Sequence, residues 1–259
     1  MNFYDVLNNH KSIRKYKSDK ISEEKLEKIL GAGLRASSSG NMQTYSVIVT
    51  ESEELKQKLY EPHFKQNMVI DAPYLVTFCA DFRRMRHWLK DSDAPVHFDN
   101  FMSFMIATID AVLASQNVAL AAEAEGLGIC YMGTTLASCD EIGKILKCPE
   151  NVFPVVGFSM GFPDEEIQIR DRLPLEGIVH RETYQDYSSE DIKRIYHDRE
   201  TAGWKRYMDV PRLRQMIEES GVENLAQVYT KVKYTRDTHV KFSQVILQYL
   251  QEQNFFNNH

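Results

Sequence analysis

Residues Phe101 to Glu125 read FMSFMIATIDAVLASQNVALAAEAE, and the fold turns on how this run is disposed. It is long and apolar enough to raise the question of a membrane span. Asp110, Gln116, Asn117 and Glu123 lie inside it, however, and a spanning helix would have to carry each of them into lipid at a cost of several kcal/mol. A helix in a soluble protein satisfies the pattern better. Phe101, Met105, Ile109, Val112, Leu113, Leu120 and several alanines wrap most of the circumference, which predicts a rod buried on nearly all sides at the centre of the core.

Outward from this rod the pattern alternates helix and strand. Tyr45 to Thr50, Tyr74 to Ala80, Gly128 to Tyr131 and Pro154 to Met160 are rich in Val, Ile, Phe and Tyr and are bounded by turn residues, as strands are. Ser52 to Tyr60 and Ser138 to Lys147 read as helices. A further helix begins at Ser22 as N-cap, carries Glu23 and Glu24 in its first turn, and places Leu26, Ile29, Leu30, Gly33 and Leu34 at helical spacing. The class is α/β or α+β, with a central mixed sheet flanked by helices. No internal repeat or low-complexity linker divides the chain, so a core over residues 1–187 and a helical extension of the same domain over 188–259 are expected. The extension reads as two or three charged helices with Tyr249, Leu250, Phe255 and Phe256 as apolar anchors.

The 259 residues are 43% hydrophobic and 26% charged, a globular composition able to bury a sizeable core. A formal net charge of −6 argues against nucleic acid as a partner while permitting a local basic pocket. The N-terminal residues carry no secretory signal pattern, which predicts a cytoplasmic protein. Cys79, Cys130, Cys139 and Cys148 show neither CxxC pairing nor nearby histidine ligands, so they read as structural thiols and no metal site is expected.

Two polar runs stand out: His10-Lys11-Ser12-Ile13-Arg14-Lys15-Tyr16, and Arg35-Ala36-Ser37-Ser38-Ser39-Gly40-Asn41-Met42-Gln43. In an extended segment His10, Ser12 and Arg14 share one side, spanning about 13 Å at roughly 3.3 Å per residue. Cation and hydroxyl at one end suit a phosphate, and the planar, permanently charged fork of Arg14 suits a carbonyl-rich ring edge. The second run ends a helix. Its serines supply hydroxyls, Gly40 permits close backbone approach, and Asn41 and Gln43 offer amide edges to ring nitrogens and carbonyls. A solvated basic loop and an ordinary Ser-Gly-Asn turn would also produce these runs. Together they suit a phosphorylated planar heterocycle. Arg170 and Arg172 flank Asp171 and could grip a phosphate, or form surface ion pairs. Gly126-Leu127-Gly128 ends the long helix and leads into a strand, whereas Gly31-Ala32-Gly33 lies inside a helix and is no dinucleotide fingerprint.

Four blocks in order, His10 to Arg14, Arg35 to Gln43, Glu125 to Thr134, and Arg170-Asp171-Arg172-Leu173-Pro174, resemble the FMN-dependent nitroreductase family, in particular its larger, NADPH-preferring flavin reductase and oxygen-insensitive nitroreductase branch. The likeness runs from about residue 2 to residue 184. It weakens beyond, where residues 197–224 look like an insertion.

The resemblance implies a nitroreductase-like fold with the long helix at the heart of a homodimer, two flavin sites between subunits, and a C-terminal arm embracing the partner. It implies bound FMN, with His10, Lys11, Ser12, Arg170 and Arg172 on the phosphate and Arg14 tuning the ring. Ser38, Ser39, Asn41, Gln43, Gln66 and Asn67 would lie about the ring, and Tyr131, Met132, Gly133 and Thr134 beside its hydride-accepting N5. Lys231, Lys233 and Arg236 correspond to the region that binds the 2′-phosphate of NADPH, although an exposed helical charge face explains them equally.

The implied activity is a ping-pong transfer of hydride from NADPH or NADH through flavin N5 to nitroaromatic, quinone or flavin acceptors. No side chain acts as nucleophile or acid–base pair, because the cofactor carries the chemistry. A specialised dehalogenase or flavin-fragmenting relative, and a flavin-binding sensor with little turnover, remain alternatives. Colourless protein that could not be reconstituted with FMN would remove all three.

Overall fold

The computed structural model describes residues 2–257. Two compact units emerge: one runs to Gln168 and resumes at Phe242, and the other is Ile169–Lys241. The first contains α1 (Phe3–Asn9), α2 (Glu23–Gly33), β1 (Tyr45–Thr50), α3 (Glu53–Tyr60), α4 (Met68–Asp71), β2 (Tyr74–Asp81), α5 (Arg83–Asp91), α6 (Phe101–Ala124), β3 (Gly128–Tyr131), α7 (Thr134–Ala137), α8 (Cys139–Ile145) and β4 (Val152–Gly161). The second contains α9 (Ser189–Asp209), α10 (Pro211–Ser220), the short α11 (Leu225–Gln227) and a π-helical turn at Val228–Lys233, after which α12 (Arg236–Glu252) leads back into the first.

The strands form one sheet in the order β1-β2-β4-β3, antiparallel at every pairing. This corrects the expected mixed sheet: the parallel component among the described residues is the isolated bridge between Ser12 and Ile129. The connections from β1 to β2, through α3 and α4, and from β3 to β4, through α7 and α8, each return the chain beside the strand it left in the opposite sense and make no crossover to a parallel neighbour. Every residue of β2 is buried, as a near-continuous apolar strand covered on both faces should be. β4 outruns its expected ends at both sides, and its register with β2 shifts between Phe78 and Cys79, opposite Pro154. Proline has no N–H for the ladder, so the irregularity falls where pairing is weakest.

Helix α6 starts at the predicted residue, capped by Asn100, whose side chain accepts from Ser103 N. It ends in a turn through Gly126, whose φ of +80° is readily adopted only by glycine, with Leu127 N donating to Ala122 O at 2.9 Å. Its burial departs from the expectation. The buried side is mostly small: Ala107, Ala111, Ala114, Ala119 and Ala122 with Ser103, Asp110 and Ser115, and Phe104 and Val118 as its larger members. Met102, Met105, Ile109, Val112 and Leu113 are exposed in the single chain. Small side chains let the helix lie close against the sheet, which leaves the bulky apolar stripe on the far side. By length and composition this helix could cross a membrane, yet its inner side carries a fully buried carboxyl and packs on a sheet.

Tyr249, Leu250 and Phe255 are buried in this chain's own core, while Phe256 stays partly exposed. The Phe255 ring lies 5.7 Å from that of Phe104, and Tyr249 lies 5.0 Å from Phe153. Asn151 N donates to Gln253 O at 3.0 Å, tying the start of β4 to the end of α12. In the second unit Tyr207, Ile217, Val222, Leu225 and Val228 form a small separate core. Asp171 there accepts from Arg199 at 2.5 Å and Arg206 at 3.0 Å, and these guanidiniums hold its carboxyl below the usual carboxylate range despite partial desolvation.

Candidate active site

After α1 the chain runs extended along the edge of β3. Ser12 bridges Ile129, Ile13 N donates to Ile129 O at 2.9 Å, and the Ile13 side chain is buried. Alternation turns Lys11 to one side of that anchor and Arg14 outward beyond it. Gly128 permits the contact, since a Cβ there would lie 2.5 Å from the Ile13 side chain. Glu165 pins the segment by accepting from Arg14 N at 2.5 Å and Lys15 N at 3.1 Å. The Arg14 guanidinium reaches back to Ser12 O at 3.2 Å. Among the described residues neither Lys11 nor Arg14 forms an ion pair, so both charges remain available to an anion. His10 differs: its Nδ1 lies 2.7 Å from Glu123 Oε1 on α6, so its ring is already engaged.

The second run follows α2. Gly40, Asn41 and Gln43 adopt φ values of +57°, +55° and +52°, a left-handed backbone that two non-glycine residues hold at a cost. Asp110 supplies the compensation. Its fully buried carboxyl accepts from Ser38 Oγ at 2.7 Å, Ser39 N at 2.9 Å, Thr44 N at 3.2 Å and Thr44 Oγ1 at 3.0 Å. Ser38 Oγ also accepts from Gln43 N at 2.7 Å, so this hydroxyl serves the loop's shape. Gln43 Nε2 donates to Asn41 Oδ1 at 3.0 Å, which brings the two predicted amides into one polar edge. A hollow of about 550 Å³ beside this edge is lined by Gly40, Asn41 and Met42 with Arg84, Met85 and Trp88.

The third region joins the end of α3 to the turn after β3. Tyr131 OH lies 3.0 Å from Ser115 Oγ of α6, and burial raises its pKa. Met132 is buried, with N donating to Gly157 O at 2.8 Å. Gly133 is exposed, and a Cβ added to it would meet nothing within 4 Å. Gln66 Nε2 donates to Thr134 Oγ1 at 3.2 Å, and Tyr60 OH donates to Asn67 Oδ1 at 3.1 Å. Two predicted site residues distant in sequence, Gln66 and Thr134, thus meet directly.

Arg170 and Arg172 belong to the second unit, where Arg172 Nη1 donates to the carbonyls of Arg170 and Asp171. Lys231 and Lys233 lie on the π-helical turn and Arg236 opens α12. Lys233 Nζ sits 4.6 Å from the centroid of the Tyr207 ring, a cation–π contact. A larger hollow in this unit, about 710 Å³, is lined by residues including Tyr196, His197, Glu200 and Asn224, and none of the predicted site residues lines it.

Three residues that organise the site escaped the sequence reading. Asp110 was visible as an acid in the middle of an apolar helix, and a buried carboxyl demands donors; what it would bind was not legible. Glu165 and His63 gave no signal. His63 is 1% exposed, and its Nδ1 lies 2.8 Å from Thr134 Oγ1. Burial lowers its pKa to about 4.

An antiparallel sheet packed on a long helix, with polar segments bonded to β3 and α6, is the architecture that positions these residues, and comparison with known proteins gives its family. The profile of the nitroreductase family matches residues 7–162. An NADPH-dependent oxidoreductase of Staphylococcus haemolyticus is 36% identical over 198 residues, covering 74% of this chain and 78% of its own. A crystal structure from Bacteroides fragilis superposes with a TM-score of 0.89 at 40% identity, covering 98% of this chain and 100% of that one. The NADPH:FMN oxidoreductase from Vibrio harveyi, complexed with NAD+, superposes with a TM-score of 0.81 at 27% identity over 100% of both chains. The chain belongs to the nitroreductase family.

Proposed function

We propose that this chain is an FMN-dependent, NAD(P)H-consuming oxidoreductase acting on nitroaromatic, quinone or flavin acceptors by a ping-pong mechanism. The observation that carries the reading is the pairing of two cations that form no ion pair among the described residues, Lys11 and Arg14, on a segment bonded to β3, with an open-faced turn at Gly133 where that strand ends. A phosphorylated ring needs both features: fixed positive charge for its anionic parts, and backbone that a flat surface can approach. The donor set therefore fits FMN.

When bound, FMN would supply the redox chemistry, accepting hydride from the nicotinamide and passing electrons to the acceptor. Lys11 and Ser12 would hold the phosphate from the first unit, and Arg170 and Arg172 are, by the family resemblance alone, further candidates for a phosphate. Arg14 would offset negative charge at the ring edge. Ser39, Asn41, Gln43, Gln66 and Asn67 would offer hydrogen bonds to ring heteroatoms, and Tyr131, Met132, Gly133 and Thr134 would border the reacting edge. His10 and Ser38 act at one remove, the first through Glu123 and the second through Asp110. Lys231, Lys233 and Arg236 are the proposed contacts for the 2′-phosphate of NADPH.

The exposed apolar stripe of α6 supports a homodimer, because side chains such as Met105, Ile109, Val112 and Leu113 side by side are seldom left to water in a stable monomer. The assembly would work in the cytoplasm on small flat substrates, and light scattering of the purified protein gives its mass directly. An anaerobic absorbance spectrum tests the cofactor. Flavin bands that NADPH or NADH bleaches are expected, and NADPH should be the faster donor if Lys231, Lys233 and Arg236 read its phosphate. Protein that neither carries nor takes up FMN would refute the reading.

A further inference from the structure

We infer that His63 is a positioning residue which, through Thr134 and Gln66, fixes the hydrogen-bonding polarity that the site presents to its cofactor. This rests on the reading of Thr134 and Gln66 as FMN contacts.

The geometry is unusually determined. His63 N donates to Leu59 O at 3.1 Å at the end of α3, and the next two residues, Phe64 and Lys65, take φ values of +57° and +55°. Consecutive non-glycine residues in the left-handed region persist only where their surroundings over-determine them. What they achieve is a reversal: Gln66 Nε2 returns to His63 O at 2.9 Å while also donating to Thr134 Oγ1 at 3.2 Å. His63 Nδ1 reaches the same Thr134 oxygen at 2.8 Å. One hydroxyl thus ties two chain segments through two side chains.

Donor and acceptor counting then fixes the chemistry. An amide has two N–H bonds and an acceptor oxygen, and a hydroxyl has one proton and two lone pairs. Both hydrogen bonds from Gln66 Nε2 run inward, so its Oε1 is the atom left for a ligand, an acceptor suited to a ring imide N–H. Thr134 Oγ1 has one lone pair occupied by Gln66. The buried ring is neutral near pH 7. With the proton on His63 Nδ1 the second lone pair is filled as well, and the hydroxyl proton is left to donate elsewhere. With the proton on Nε2, Thr134 donates to His63 and keeps a lone pair for the ligand. The imidazole tautomer therefore selects whether Thr134 offers a donor or an acceptor, and His63 need not touch the cofactor to do so.

The test is a double-mutant cycle on FMN affinity, read by quenching of flavin fluorescence on binding. His63→Leu and Thr134→Val should each weaken binding about tenfold, and the double variant should be no weaker than the worse single one. His63→Asn, whose side-chain amide can reach the place of Nδ1, should recover affinity to within about threefold of wild type. Multiplying effects in the double variant, or a folded His63→Asn protein as weak as His63→Leu, would overturn the inference. Should His63→Leu not fold, the cycle is run with Thr134→Val in the wild-type and His63→Asn backgrounds, where equal losses are expected and a loss confined to one background overturns the idea. Wild-type protein that binds no FMN would sink the cofactor reading itself, a result distinct from these.

Discussion

Two segments of the site are pinned in the same manner, each by one carboxyl that captures two backbone N–H groups, yet the two pins differ in kind. Asp110 takes Ser39 N and Thr44 N from wholly inside the protein and adds two hydroxyls. Glu165 takes Arg14 N and Lys15 N from a half-exposed position with no further partner from that segment. The first pin holds a loop in left-handed backbone that its own sequence disfavours. The second only steadies an extended strand edge, whose bonds to Ile129 already fix its course. Burial is what separates structure from adjustment here: the same contact is worth more where water cannot replace it.

The comparison breaks most sharply at Asp110. Replacing Asp110 by Ala leaves four donors without their acceptor, and a loss of about 3–4 kcal/mol in urea unfolding is expected, with the 38–44 loop released. A loss below about 1 kcal/mol would mean that water satisfies the loop and that the buried pin is no stronger than the exposed one.

A pH titration places the third segment on the same scale. The folded pKa of His63, about 4, lies below the ordinary histidine value of 6.5. Its neutral form is therefore favoured by folding, the associated stability is complete above about pH 6.5, and it is lost as pH falls toward 4. By pH 5 the loss should be about 2 kcal/mol. Chemical denaturation at pH 7 and pH 5 should show this in wild type and much less of it in His63→Asn, and equal losses in both would assign the effect to other groups.

Glu165→Ala comes next, at about 1 kcal/mol, because exposed amides regain hydrogen bonds from water. Arg14→Ala stands last for stability, within about 0.5 kcal/mol, since its guanidinium makes one bond to a backbone carbonyl. FMN retention should reverse that order for the 10–16 segment, with Arg14→Ala weakening it by about tenfold or more while Glu165→Ala has little effect. An Arg14→Ala protein that keeps its full flavin content would remove this residue from the site.

Local pattern made the elements legible. Runs rich in Val, Ile, Phe and Tyr between turn residues located the four strands, Ser22 and Ser52 act as N-caps with their side chains accepting from Lys25 N and Leu55 N, and α6 begins where the apolar run does. The strand order was not legible, because β4 inserts between β2 and β3 through pairings with no local signature. The side of α6 that would be buried was misjudged for a definite reason: hydrophobicity ranks Met and Ile above Ala, whereas close helix–sheet packing selects the smaller side chain. Among site residues, the polar runs were visible as composition. The split between cations without an ion pair, Lys11 and Arg14, and groups tied into the scaffold, such as His10 and Ser38, depends on partners more than sixty residues away.

The seating of Tyr249 and Phe255 against β4 and α6 bears on how the chain is made. The core of the first unit is closed by residues that leave the ribosome after the whole of the second unit has been synthesised. Until then the sheet and the long helix lack part of their cover, and Phe104 and Phe153 each stay without one ring neighbour. Folding of the first unit must therefore wait across an excursion of some seventy residues, a separation that slows closure and lengthens the period in which nascent chains are open to chaperones and to one another.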